Sequence, residues 1–302
     1  MPALTDNARG AVFMTLSMAG FAFNDGLMKA VMADTPLFQA VFMRGAMATA
    51  LLVAVAASQG AFARRFAISD RPALLGRSLG EIGATVCFLT ALFHMPIADA
   101  TAILQATPLT VTLAAAVFLG APVGWRRWTA ILVGLGGVML IVRPGGAGFD
   151  ANALWAVAAV GFVTLRDVST RFFSAGAPSI LVALVTSGAI TVVAGLLASS
   201  GAWEALDLGR WLRLVGAAGF LVVGYLFGVM SMRVGEIAVV SPFRYTVLIW
   251  ALLIGAFVFG DLPDWLTLTG AAIVVGSGVY TLWRERRIAA AARLSPPRPR
   301  GA

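Results

Sequence analysis

The sequence predicts an all-α membrane protein, with ten transmembrane helices arranged as two inverted five-helix repeats. Three observations predict it. The chain of 302 residues is 60% hydrophobic and only 12% charged, about half the charged fraction of a soluble domain. Its apolar residues, with mean hydropathy +0.90, gather into runs long enough to cross a hydrocarbon core of about 30 Å. Residue types that are rare in this chain recur in its two halves at nearly the same spacing, with one two-residue slip.

The runs, in order, are Gly10–Met32, Pro36–Ala57, Leu75–Met95, Thr101–Leu119, Trp128–Val142, Leu154–Phe173, Ile180–Ser199, Leu212–Met232, Ala238–Phe259 and Leu266–Trp283. Met1 to Arg9 is short and polar, like the start of a signal peptide. The apolar run after it continues through Phe21, Phe23, Leu27 and Met28 without a cleavage site, so it reads as the first span. The fifth run is short and is expected to begin inside the preceding loop. The 33 glycines suit close helix–helix approach in lipid, and no linker is long enough to house a soluble domain.

The net charge of +8 would suggest a nucleic-acid partner in a soluble protein. Here the arginines sit in short loops and the tail, where orientation explains them. Ten spans place both termini on one side. That side carries Arg9, then Arg64, Arg65 and Arg71, then Arg126 and Arg127, then Arg233, and a tail with Arg284, Arg286, Arg287, Arg293, Arg298 and Arg300. The other side carries Arg143, Arg210 and Arg213 and most of the acids: Asp34, Asp99, Asp150, Glu204, Asp207, Asp261 and Asp264. The expectation is a multi-pass protein of the bacterial inner membrane with both termini cytoplasmic. Its partners are the lipid bilayer and a small-molecule solute, without nucleic acid. Residues 285–302 are basic and carry Pro296, Pro297 and Pro299, and are expected to be a disordered tail on the membrane surface.

The internal repeat carries the functional argument. At a shift of 142, Asp25 falls on Asp167, Lys29 on Arg171 and Pro36 on Pro178. At a shift of 140, Gly120 falls on Gly260, Trp125 on Trp265, Thr129 on Thr269 and Gly136 on Gly276. The expected units are residues 1–145 and 146–284, with five spans each. An odd number of spans inverts the second copy in the membrane. A site between inverted halves can open to either side when one half rocks against the other. An old duplication without such motion is the plain alternative.

Such a 5+5 chain resembles the drug/metabolite transporter superfamily, in its EamA-like branch. Ala100–Val142 has the look of the second part of an EamA repeat, with Pro108 in the fourth span, a short loop, then Trp125, Thr129 and the glycines of GLGG. Ala238–Val279 repeats this with Pro242, Trp265, Gly270 and Gly276. The likeness extends to about Arg284. One departure is that the family often has Glu after the fourth and ninth helices, where this chain has Ala121 and Asp261, which points to a cap-and-loop role there. The resemblance implies a transporter working by alternating access as a monomer, with the solute contacted by the first, third, fourth, sixth, eighth and ninth spans. It extends furthest toward bacterial riboflavin transporters, which makes riboflavin import the first substrate expectation. Export of amino acids, drugs or other metabolites is the second.

Ionisable groups within spans are costly and mark candidate positions. In the first span, Asn24, Asp25 and Lys29 stand together. Asp25 and Lys29, at i,i+4, can pair on one helix face, either lining a substrate path or as a neutralised pair with Lys29 reaching the interface. Arg166, Asp167 and Arg171 are the counterpart in the sixth span, with the same two readings. Arg44 in the second span has no neutralising neighbour in sequence and needs a partner from another helix or a substrate anion. Arg77 and Glu81 form an i,i+4 set in the third span, read first as a structural pair and second as a cation or proton site. In the ninth span Ser241, Arg244, Tyr245 and Trp250 surround Pro242, and in the fourth Gln105 and Thr107 adjoin Pro108. Proline frees backbone groups that lipid does not tolerate unless protein or water meets them, so both prolines are candidate helix breaks beside a midplane site, and Tyr245 and Trp250 are candidate stacking partners. Alternatively, the aromatics face lipid. His94 and Cys87 read as structural, and the lone histidine and lone cysteine suggest no metal site, cofactor or disulfide.

The sequence has no Walker loop, no HExxH and no GxGD or GxSG pair. A transporter built on it is therefore expected to draw on the solute's own gradient or a coupled ion. A membrane-embedded enzyme is disfavoured by the shortage of histidine and the lack of an interfacial catalytic cluster. A purely structural membrane protein would not need charges placed symmetrically inside its helices.

Overall fold

The computed structural model describes residues 6–63, 66–120, 124–144, 150–174 and 176–294. Arg64, Arg65, Ala121 and the tail residues Pro296, Pro297, Arg298, Pro299 and Arg300 lie outside them. The described residues form helices and turns without a strand. In order they are α1 (Asp6–Met32), α2 (Leu37–Ser58), α3 (Arg71–His94), α4 (Ile97–Leu104), α5 (Thr107–Phe118), α6 (Trp125–Val142), α7 (Ala153–Thr170), α8 (Ser179–Ala198), α9 (Leu208–Val234), α10 (Ile237–Val240), α11 (Thr246–Ile254) and α12 (Trp265–Leu294).

Among the described residues nine segments are long and apolar enough to cross a membrane, two of them composite: Ile97–Phe118 and Ser241–Phe259. The tenth span is α3. At 24 residues it is long enough, but Arg77 and Glu81 dilute its apolar character. The chain is thus a multi-pass helical membrane protein.

Several ends differ from the sequence expectation for local reasons. α3 starts at Arg71 rather than Leu75 because Pro72 sits in its first turn, where a missing N–H costs nothing. α9 starts at Leu208 rather than Leu212 because the Asp207 side chain accepts from Arg210 N at 2.7 Å, an N-cap. α12 runs on to Leu294, so the segment 285–294, expected to be disordered, is helical; its run Ala289–Ala292 has the highest helix propensity.

The fourth span breaks at Gln105 and Ala106, between α4 and α5, with Pro108 in the first turn of α5. Thr107 Oγ1 donates to the Leu104 carbonyl at 2.6 Å. The ninth span is α10, a 3₁₀ turn at Ser241–Tyr245 holding Pro242, α11, and a π-type turn at Gly255–Phe259. Thr246 Oγ1 donates to Phe243 O at 2.6 Å beside that 3₁₀ turn. Both broken spans end on a glycine in the left-handed region, Gly120 at φ 62° and Gly260 at φ 71°. These two glycines also match in the sequence repeat, and a side chain at either would cost about 1–2 kcal/mol in that conformation.

The main helix pairings join one half of the chain to the other. α1 packs on α9, α3 on α7, α2 on α8 and α6 on α12, with α1 on α11 and α5 on α7 as further pairs. Exchanging first with sixth span, second with seventh and so on maps this set onto itself: α1–α9 becomes α7–α3, α1–α11 becomes α7–α5, and α2–α8 and α6–α12 map to themselves. On the self-matched α6–α12 crossing, a Cβ built on Gly270 would lie 2.6 Å from the Gly137 carbonyl oxygen. The α2–α8 crossing is tied by hydroxyls, with Thr49 Oγ1 2.9 Å from Ser187 Oγ.

The largest apolar cluster fills the end of the bundle away from the described termini, the far end. It includes Met28, Val31, Met32, Val41, Leu92, Ile97, Leu214 and Ile254. There the Gln39 side chain is buried and clamps the Glu204 backbone, donating to its carbonyl at 2.7 Å and accepting from its N–H at 2.9 Å. Arg143 and Asp264 form an ion pair between the far ends of α6 and α12. The Arg143 guanidinium, then the Thr267 N–H, hold the Asp264 carboxyl down at about 2.

Gly270→Ala should therefore lower the melting temperature in detergent, because backbone cannot yield as a side chain can; overpacking of this kind costs about 1–3 kcal/mol. Gly276→Ala on the same helix meets nothing within 4 Å, and should leave the melting temperature unchanged or raise it.

Candidate functional site

A cavity of about 630 Å³ lies between the two halves. Its wall takes Asn24 and Asp25 from α1, Arg44 from α2, and Arg77, Glu81 and Thr85 from α3. The broken fourth span contributes Thr101, Gln105, Thr107, Pro108 and Thr112. From the second half come Arg166, Asp167 and Arg171, Thr186 and Ser187 of α8, Tyr225 of α9, and Ser241, Arg244 and Tyr245 of the 3₁₀ turn. Arg171 and Arg244 are exposed, and with Arg77 they mark the opening toward the end that holds the termini. The far end is closed by the apolar cluster. Arginines outnumber carboxylates on the wall, where Asp25, Glu81 and Asp167 face Arg44, Arg77, Arg166, Arg171 and Arg244.

The charged groups are joined differently from what i,i+4 spacing suggests. Asp25 does not pair with Lys29. Its Oδ1 accepts from Asn24 Nδ2 at 2.8 Å, and Asn24 Oδ1 accepts in turn from Arg44 Nη1 at 3.2 Å. Lys29 is off the cavity wall. Its Nζ donates to the carbonyls of Leu92 at 2.9 Å and Met95 at 2.6 Å and stands 5.5 Å from the centre of the Phe259 ring. The carbonyls ending α3 carry the negative end of its dipole and outcompete an aspartate one turn back.

The partner of Asp167 is Arg166 rather than Arg171, with Nε donating to Oδ1 at 2.9 Å. Arg166 also reaches Glu81 Oε2 at 3.5 Å, so Glu81 is bound across the halves and not by Arg77. The Arg77 Nη1 instead donates to Thr170 Oγ1 at 2.6 Å. Close packing of α3 on α7 brings these groups together. A Cβ built on Gly80 would lie 2.6 Å from the Arg166 nitrogen, and that approach sets Glu81 beside Arg166.

Of the residues singled out in sequence, Asn24, Asp25, Arg44, Glu81, Gln105, Pro108, Arg166, Asp167, Arg244 and Tyr245 all line the cavity, as do Arg77, Arg171, Thr107 and Ser241. Trp250 does not. It is half-buried, 6.2 Å from Phe23, and packs against the apolar clusters. Pro242 bends the ninth span without facing the cavity. The sequence reading missed α2 and α8 as wall helices, apart from Arg44. It also missed Tyr225, which meets Phe21 edge-on at 5.4 Å and whose signal was a tyrosine in mid-span where the chain has only three.

Residues 8–143, the first five spans, match the EamA-like transporter family. The chain carries an EamA-like transporter domain. The relatives that the chain resembles are named for membrane transport and differ in solute. It is 27% identical to the S-adenosylmethionine uptake transporter of Rickettsia bellii over 64% of this chain and 66% of the relative, just under two thirds of that protein's length. It is 26% identical to the pseudopaline exporter CntI of Pseudomonas aeruginosa over 88% of this chain and 93% of the relative. It is 29% identical to a riboflavin transporter of Vibrio cholerae over 72% and 75%. A solved structure with 18% identity superposes with a TM-score of 0.65 over 92% of this chain and 98% of its own, so the fold is one already observed.

Arg166→Ala leaves Glu81 and Asp167 facing each other without their cation. Breaking a fully buried ion pair this way costs about 3–5 kcal/mol; these pairs are part-buried, so the variant should show a smaller but measurable fall in melting temperature in detergent. Adding Glu81→Gln to Arg166→Ala should recover part of that loss.

Proposed function

We propose that this EamA-like protein is a secondary transporter that carries a small organic metabolite through the cavity between its halves. The observation that carries the reading is a cavity walled by both halves, charged inside, open at one end and sealed at the other by an apolar cluster. Closing the open end while opening the sealed one would move a solute across the membrane. The units proposed to rock are residues 1–145 and 146–284, and the self-mapping set of helix pairings supports them. The arginine bias of the loops supports a reading with the termini, and hence the open end, in the cytoplasm of a bacterial cell, and the proposed protein acts as a monomer in the inner membrane. Energy comes from the solute gradient or a coupled ion.

For the solute, riboflavin import is one reading. The Vibrio cholerae relative favours it, as do Phe21, Phe88, Tyr225 and Gln105 on the wall, which offer ring edges and an amide to a planar heterocycle. Placement of Trp250 outside the cavity removes one stacking partner from that reading. The S-adenosylmethionine and pseudopaline relatives favour solutes with charged groups, by import or by export, and the charged wall suits them.

Expression in a bacterium unable to make riboflavin, fed limiting vitamin, separates these readings. Riboflavin import predicts growth rescue by the wild type and its loss in an equally expressed Tyr225→Ala variant. Absence of rescue, with the protein present in the membrane, rejects riboflavin. Transport itself is then tested with liposomes holding purified protein and labelled S-adenosylmethionine or amino acids, assayed for uptake and for release. No saturable flux of any of these solutes, riboflavin included, would contradict the transporter reading.

A further inference from the structure

Among the arginines of the cavity wall, Arg44 and Arg166 are held differently. Arg166 has Asp167 and Glu81 around it. Arg44 is 8% exposed, and among the described residues no carboxylate lies within ion-pair distance of it. Its Nε has no hydrogen-bond partner. What it has is one hydrogen bond to a neutral amide, Asn24 Oδ1 at 3.2 Å. A buried guanidinium held this loosely is costly to keep, and its side chain lines the cavity.

Asn24 shows what fits there. Its carboxamide spans the space between Asp25 and Arg44, giving its N–H to the carboxylate and its oxygen to the guanidinium. A group with an ammonium and a carboxylate on one carbon has the same polarity in the same order, with full charge at each end. Each hydrogen bond it made would be charge-assisted, stronger than the amide's.

We propose that Arg44 and Asp25 form a subsite for a solute carrying such an amphoteric head group, its carboxylate on Arg44 and its ammonium on Asp25, with Asn24 turning aside as it enters. The proposal rests on the transport reading of this cavity and narrows it. The rest of the solute lies toward Tyr225 and Gln105.

The test is thermal stabilisation and binding of the purified protein by a fixed panel: S-adenosylmethionine and the common α-amino acids, each beside its carboxamide where one exists, together with riboflavin. At least one panel member with the free head group should raise the melting temperature, and its carboxamide should not. Arg44→Gln and Asp25→Asn should each weaken that binding by at least about tenfold, while Arg126→Gln, away from the cavity, should leave it unchanged. Unliganded Arg44→Gln should melt at or above the wild-type temperature, because it removes a buried charge without its counter-ion; a structural lock would melt lower. The proposal is overturned if no member with the head group binds, if the carboxamide binds equally well, or if Arg44→Gln binds as the wild type does. Flux measured in parallel keeps the two readings apart. Riboflavin flux unchanged by Arg44→Gln, with no panel member bound through its head group, leaves transport standing and removes this subsite, while head-group binding without flux does the reverse.

Discussion

A guanidinium inside hydrocarbon must be surrounded by carboxylates, by polar backbone or by water, and this requirement organises the bundle. Arg166 meets it by drawing Glu81 across from the other half, which needs the close approach of α3 to α7 at Gly80. Arg44 meets it only in part, through Asn24 and the cavity. Lys29 meets it at the far end with the last carbonyls of α3. Arg166 thus joins the two halves, while Arg44 and Lys29 tie α1 to α2 and to α3 within the first half. The polar middle they create is where the apolar packing stops and the cavity begins.

The Arg166–Glu81 contact belongs to a set of main helix pairings that run between halves rather than within them. The pairings repeat when first-half and second-half spans are exchanged, so α1 on α9 has its counterpart in α7 on α3. The broken fourth and ninth spans follow the same logic. Each puts polar side chains and turn backbone beside the cavity and then ends on a left-handed glycine, Gly120 or Gly260. At the sealed end the contacts between the halves combine an apolar cluster with a few directional bonds, the Gln39 clamp on Glu204 and the Arg143–Asp264 pair.

Much of the fold was legible in the sequence. Long apolar runs have few alternatives, so the spans appear within a few residues of their places. The exceptions, at Leu208 and beyond Arg284, come from a cap and from an alanine run, which hydropathy does not weigh. α3 is the instructive span, since the charges that weaken its hydropathy are those that build the site. The cavity residues were legible as types, because an arginine or aspartate within a span has to face something polar. Their partners were not. Spacing at i,i+4 shows which side chains can meet on one helix, but Lys29, Arg77 and Glu81 each found a better partner on another helix. The same blindness to neighbouring helices placed Trp250 in the cavity and left Tyr225 out.

The central claim is that water and solute reach the middle of this bundle from the end that holds the termini, and not from the far end. The direct measurement is labelling of a single cysteine at Ser187→Cys, on the cavity wall, in a Cys87→Ser background, with a membrane-impermeant maleimide applied to inside-out and right-side-out vesicles. The account predicts rapid labelling from the cytoplasmic face and little from the outside. Labelling from the outer face alone, or none from either face in a folded protein, would contradict it.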